Sequence, residues 1–156
     1  MKTLLIGLGN PILGDDGVGW QIANEVKRSS ERVEVDCLAV GGISLMERLV
    51  GYDRAILVDS INSGLASQGS VLSFSLEDLP DTAMGHLTAA HDTSLQTAMH
   101  VGRLLGAHLP DHVTIVAIES QEVYDFCDTL SPEVSAAVPK AVRKIFELLN
   151  QNGMEG

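Results

Sequence analysis

Short apolar runs with the spacing of strands alternate along this chain with longer stretches whose apolar residues recur at helical spacing. That alternation restricts the fold more than any single motif. Strand-like runs fall at Thr3 to Ile6, Val33 to Ala39, Ala55 to Asp59, Ser70 to Ser75 and Val113 to Glu119. Between them, Val18, Ile22 and Val26 mark a first helix, Ser44 to Val50 a short second one, and Leu95, Ala98, Met99, Gly102 and Leu105 a third. Val134, Val138, Ala141, Ile145 and Leu148 mark the last. Ser131-Pro132-Glu133 has the order of a helix start: a capping hydroxyl, a proline at the first helical position and an early acid. Thr93 followed by Gln96 reads as a capping box. Strands alternating with helices predict a single α/β domain over residues 1–150, a three-layer arrangement with a mostly parallel sheet covered on both faces. The connection from Ile61 to Gly69 is too short for a helical crossover, which predicts an antiparallel edge strand, a hairpin partner, at Ser70 to Ser75. Residues 151–156 read as a frayed, disordered tail.

Composition removes several function classes. The net charge is −11, from 21 acidic and 10 basic residues. A surface of that sign repels phosphate backbones, and no basic stripe with interleaved aromatics is present, so nucleic acid is not an expected partner. The apolar runs are far shorter than the roughly 20 residues of a membrane helix. The apolar opening runs straight into Gly7-Leu8-Gly9-Asn10, which reads as a strand and not a signal peptide, so a cytoplasmic protein is expected. Cys37 and Cys127 form no Cys-x-x-Cys pair, which excludes a zinc ribbon and argues against a disulfide scaffold. Cys37 lies in an apolar run and reads as a small core residue; Cys127 lies in a polar loop.

In α/β sheets, ligands collect beyond the carboxyl ends of the strands. Three polar groups fall there. Asp15 and Asp16 end the loop after the first strand, Asp59 terminates the run Ala55-Ile56-Leu57-Val58, and His91 immediately precedes the third helix. Two carboxylates (Asp16, Asp59) and one imidazole (His91) make a mixed oxygen and nitrogen set suited to Ni²⁺ or Zn²⁺, with coordination positions left for substrate or water. Each has a plainer reading as well: Asp16 as a helix N-cap, Asp59 as a cap of the following turn, His91 as a satisfied surface histidine.

The glycine-rich opening does not fit a nucleotide site. A dinucleotide fingerprint needs glycine where this chain has Ile12, Pro11 disfavours an immediate helix start, and no Gly-Lys-Ser/Thr follows. The glycines instead permit a tight turn that delivers Asp15 and Asp16 to the crevice. Neither a Gly-x-Ser-x-Gly elbow nor His-Glu-x-x-His occurs, and His86, His100, His108 and His112 show no ligand spacing.

Four blocks, in order and spanning nearly the whole chain, resemble the hydrogenase maturation proteases. They are Gly7-Leu8-Gly9-Asn10 through Asp15-Asp16-Gly17-Val18-Gly19, Gly51 through Asp59, Ala90-His91-Asp92, and Leu130-Ser131-Pro132-Glu133-Val134. The resemblance implies a twisted five-stranded sheet between helices and an endopeptidase often classed as aspartic-type. It maps three metal-contacting residues onto Asp16, Asp59 and His91. It implies a nickel-loaded precursor of the nickel-iron hydrogenase large subunit as partner, cut just beyond its C-terminal cysteine motif. The nickel is then supplied by the substrate, with zinc or another divalent ion as a stand-in in a crystal. Asp15 is a candidate general base or supporting group, with a structural role in holding the loop as the alternative.

Two segments depart from the family pattern. Val40-Gly41-Gly42-Ile43 stands where relatives often have an acid before Gly-Gly-Thr, and Ser120 to Asp128 lacks the usual glycine spacing. Both are placed to touch substrate and so bear on which hydrogenase is served. A non-catalytic nickel-dependent chaperone could use the same three residues. The Gly-Leu-Gly-Asn-Pro opening also resembles peptidyl-tRNA hydrolase, but Asp15-Asp16-Gly17 stands where that family needs an arginine-histidine-asparagine block, and the acidic charge disfavours tRNA.

Overall fold

The computed structural model describes residues 1–79, 94–121 and 126–153. Strands β1 (Thr3–Leu8), β2 (Glu34–Leu38), β3 (Arg54–Ile61), β4 (Val71–Ser75) and β5 (His112–Glu119) form one sheet in the order β2-β1-β3-β5-β4. Every pairing is parallel except that of β4 with β5, so the antiparallel strand lies at the edge, as expected. It is not the hairpin partner of β3, however. Strand β5 lies between them, with Asp59 opposite Ala117 on one side and Val71 opposite Ile118 on the other. The buried middle of β5, Ile115 to Ile118, explains this place: a run buried on both faces belongs inside a sheet, whereas the half-exposed β4 tolerates an edge.

Helices α1 (Val18–Ser29), α2 (Gly42–Leu49), α3 (Leu95–Leu104) and α4 (Pro132–Gly153) cover the two faces. Alternation along β3 sorts them. Ala55, Leu57 and Ile61 pack with Leu45 and Leu49 of α2 and Leu95 and Met99 of α3. Ile56 and Val58 pack with Val18, Ile22 and Val26 of α1 and with Val134, Ala141 and Ile145 of α4. Helix α3 is capped by the Ser94 hydroxyl, which accepts from the Thr97 amide at 3.3 Å, one residue beyond the expected Thr93, which lies outside the described residues. Gln96 spends its amide elsewhere, on the Leu76 carbonyl at 2.6 Å. Leu105, expected on the buried stripe, follows the helix and is 82 % exposed. Helix α4 runs to Gly153, so the helix continues three residues into the stretch read as a disordered tail. Its buried stripe lies against the sheet, and Arg54 ties its far end down by donating to the Leu148 carbonyl.

Two glycines decide how closely α1 approaches the sheet. Gly9 has φ +143°, and a side chain there would collide with the Asp16 carbonyl. A Cβ on Gly19 would stand 2.5 Å from the Val58 carbonyl oxygen and closer still to that of Leu8. The first turn of α1 thus sits directly on the carboxyl end of β1 and the middle of β3.

Candidate functional site

A single 3-10 turn, Gly14–Gly17, links β1 to α1 and carries both acids. Its two carboxylates face different surroundings. Asp16 is half-buried: Oδ2 accepts from the Asn10 amide at 2.9 Å, and Oδ1 from the Ser60 hydroxyl at 3.4 Å. Asp15 is only 4 % exposed. Its Oδ1 accepts from the Ser131 amide at 2.7 Å, and its Oδ2 from the Ser131 hydroxyl at 2.8 Å and from Gln68 Nε2 at 3.5 Å.

Asp59 lies inside β3 and not at its terminus, because the strand continues through Ser60 to Ile61. It is wholly buried. By alternation it faces the layer of α2 and α3, whereas Ser60 faces α1 and α4. Through the Ser60 hydroxyl, Asp16 is bonded to the residue next to Asp59, which sets the Gly14–Gly17 turn against the carboxyl-terminal half of β3. His91 and the block around it lie outside the described residues, as does His86. Among the described residues no three histidine, cysteine or acidic side chains are grouped to hold a metal ion.

Neighbouring loops are fastened at the same end of the sheet. The Cys127 amide donates to the Ile12 carbonyl at 2.9 Å and the Gly14 amide to the Cys127 carbonyl at 2.6 Å, stitching the loop after β5 to the loop after β1. Glu119, 3 % exposed at the end of β5, accepts from both the amide and the hydroxyl of Ser63. The Trp20 indole donates to the Leu38 carbonyl at 3.0 Å, holding the end of β2. Of these, Ser131 was visible in the sequence, but as a helix cap; Ser60, Gln68 and Glu119 carry no motif. Ser60 was findable in principle, as the polar residue that follows Asp59 on the last turn of an otherwise apolar strand.

The described histidines His100, His108 and His112 are all exposed, whereas Cys37, expected as a small core residue, is only half-buried. His108 pairs with Asp53 at 3.0 Å on an exposed surface. There the Lys2 amide, and after it His108, hold the Asp53 carboxyl below the usual carboxylate range. Cys37 is half-buried, and burial followed by the adjacent Asp36 pushes its thiol above the ordinary value. Cys127 is exposed, its sulfur near the Thr129 hydroxyl at 3.1 Å.

Comparison with known proteins identifies the family and the fold. The sequence profile of a family described as hydrogenase maturation protease matches residues 20–148, a span that contains Asp59 and His91 and begins after Asp16. The hydrogenase expression/formation protein HupD of Thiocapsa roseopersicina is 24 % identical over 156 residues, covering 98 % of this chain and 70 % of the relative. Protein FrxA of Pyrococcus furiosus is 31 % identical over 144 residues, covering 89 % and 98 %. Among solved structures, the hydrogenase maturating endopeptidase HybD of Escherichia coli shares the fold with a TM-score of 0.78 at 22 % identity, covering 98 % of this chain and 94 % of that one. The [NiFe] hydrogenase maturation protease HybD of Thermococcus kodakarensis has a TM-score of 0.67 at 27 % identity, covering 95 % and 99 %. With the profile spanning most of the domain and the fold shared along nearly the whole chain, the chain belongs to the hydrogenase maturation proteases, a family of endopeptidases.

Proposed function

We propose that this endopeptidase recognises nickel already seated in the precursor of a nickel-iron hydrogenase large subunit and removes the C-terminal extension, using Asp16, Asp59 and His91 to meet the metal. The observation that carries the reading is the contact between Asp16 and Ser60, which sets one acid beside the strand segment that holds the other. Two carboxylates and an imidazole are donors that a nickel ion accepts alongside substrate thiolates. An ion held by both partners registers the scissile bond against the protease, so that recognition becomes positioning. A precursor without nickel lacks that anchor. The cytoplasm is the proposed compartment, and two free thiols suit its reducing conditions. No described helix is long and apolar enough to cross a membrane.

The test mixes the protein with nickel-loaded and with nickel-free precursor and weighs both by mass spectrometry. Loss of the tail from the loaded precursor alone is the expected result; binding without loss of mass would make the protein a chaperone. Asp16→Ala and His91→Ala should each abolish processing, and normal cleavage by both would overturn the assignment.

A further inference from the structure

Adjacent acids with different surroundings call for different roles. We propose that Asp15, Gln68 and Ser131 form a clamp that holds Asp16 in place relative to Asp59, so that Asp15 is a positioning residue and not the general base. The inference rests on the reading of Asp16 and Asp59 as the carboxylates that meet the substrate's nickel.

Both oxygens of Asp15 are occupied within the protein. Ser131 holds them through its amide at 2.7 Å and its hydroxyl at 2.8 Å, and Gln68 Nε2 reaches Oδ2 at 3.5 Å while donating to Ser131 Oγ at 3.0 Å. A general base needs an oxygen within hydrogen-bond reach of the proton it removes. This carboxylate faces the start of α4, where Ser131 takes both of its oxygens. Asp16, one residue on, bonds instead to Asn10 and Ser60 at the strand ends.

The three members come from three different connections. Asp15 is in the loop after β1, Gln68 in the segment that leaves β3, and Ser131 in the loop after β5. Strand β3 carries Asp59, so a network joining its outgoing segment to the 3-10 turn ties the supports of both candidate carboxylates together. Backbone bonds brace the same joint: Gly14 to Cys127, Cys127 to Ile12, and Gly69 to the Glu119 carbonyl at 2.7 Å. Charged hydrogen bonds in a buried setting are the strong ones, which makes Asp15 the centre of the clamp.

The experiment compares Asp15→Asn, Asp15→Ala, Ser131→Ala and Gln68→Ala in the full chain. It records kcat, KM and pH profile on nickel-loaded precursor, and amide hydrogen exchange over residues 13–17. Asparagine keeps an acceptor for the Ser131 amide, so a clamp predicts partial rescue, with Asp15→Asn about tenfold or more above Asp15→Ala. A misplacement of order 1 Å costs about 10²-fold, which bounds the loss expected for Asp15→Ala. The acid limb of the pH profile should survive in Asp15→Asn, and exchange over 13–17 should quicken in Ser131→Ala and Gln68→Ala. Asn and Ala variants equally dead, with Ser131→Ala and Gln68→Ala normal, would restore the general base and overturn the clamp. Wild-type rates and exchange in Ser131→Ala and Gln68→Ala would also overturn it, even if the Asp15 variants fail to fold. If the wild-type protein itself leaves loaded precursor uncut, the functional reading fails, while the exchange data still decide whether the clamp exists.

Discussion

Replacing Gly19 with alanine tests whether the close seat of α1 on the sheet supports the site. The added methyl would stand 2.5 Å from the Val58 carbonyl oxygen, and nearer to that of Leu8, where ordinary contact begins at 3.4 Å. Both obstacles are backbone atoms in a paired sheet and cannot rotate away, so the first turn of α1 must withdraw by about 1 Å. Overpacking of this kind costs about 1–3 kcal/mol. Alanine is the better helix former by up to about 1 kcal/mol, which offsets part of the clash. The clash wins, leaving a net loss of about 1–2 kcal/mol, or a Tm lower by roughly 2–8 °C for a domain of this size. The effect on processing should be larger in proportion, because the 3-10 turn with Asp16 leads directly into α1 and a shift of order 1 Å can cost about 10²-fold. Thermal unfolding and precursor cleavage would be measured beside Gln21→Ala, an exposed position on the same helix that should change neither. A Gly19→Ala protein as stable and as active as wild type would show that the helix does not need this closeness, and the argument from the glycines would fall.

Ser60→Ala removes a single long hydrogen bond while Asp16 keeps the Asn10 amide, so processing should drop by less than about tenfold, a loss near 1 kcal/mol; complete loss would mean that Ser60 itself touches the substrate. The two thiols should react with a disulfide reagent in two phases. Exposed Cys127 should react fast and Cys37 slowly, because burial and Asp36 push the Cys37 thiol up, so its thiolate appears only at higher pH than that of an ordinary cysteine; equal rates at neutral pH would contradict that placement. Cys127→Ser should process normally, since only the Cys127 backbone is bonded to the loop after β1; an inactive variant would bring back a thiol mechanism.

Apolar periodicity made the elements legible because the core repeats it. The stripe Val134, Val138, Ala141 and Ile145 announces α4, and the helix forms although Pro139 interrupts it, since Pro139 is exposed and its neighbours on the stripe are buried. The edge position of β4 was readable from a connection too short for a crossover. Its partner was not, because pairing between β4 and the later β5 is a long-range choice that no local spacing records. Leu105 was misplaced for a related reason: the apolar spacing continues one step past the helix, and only tertiary packing ends it.

The candidate site shows the same division more sharply. Asp59 is conspicuous in the sequence as an acid that closes an apolar run, although β3 continues past it to Ile61, and Asp16 as one of two acids that end the loop after β1. Only the family resemblance set Asp16 apart from Asp15; the local pattern did not, since two adjacent acids in a loop look alike until their partners are known. The partner that separates them, Ser131, was visible only as a cap for its own helix, and in the fold its hydroxyl serves a carboxylate 116 residues away. A capping motif predicts that a hydroxyl lies at a helix start; which acceptor takes its proton depends on which loop the fold sets beside it. The supports of a site built on several loops are therefore the part least written in local sequence, and here they give two neighbouring acids different partners.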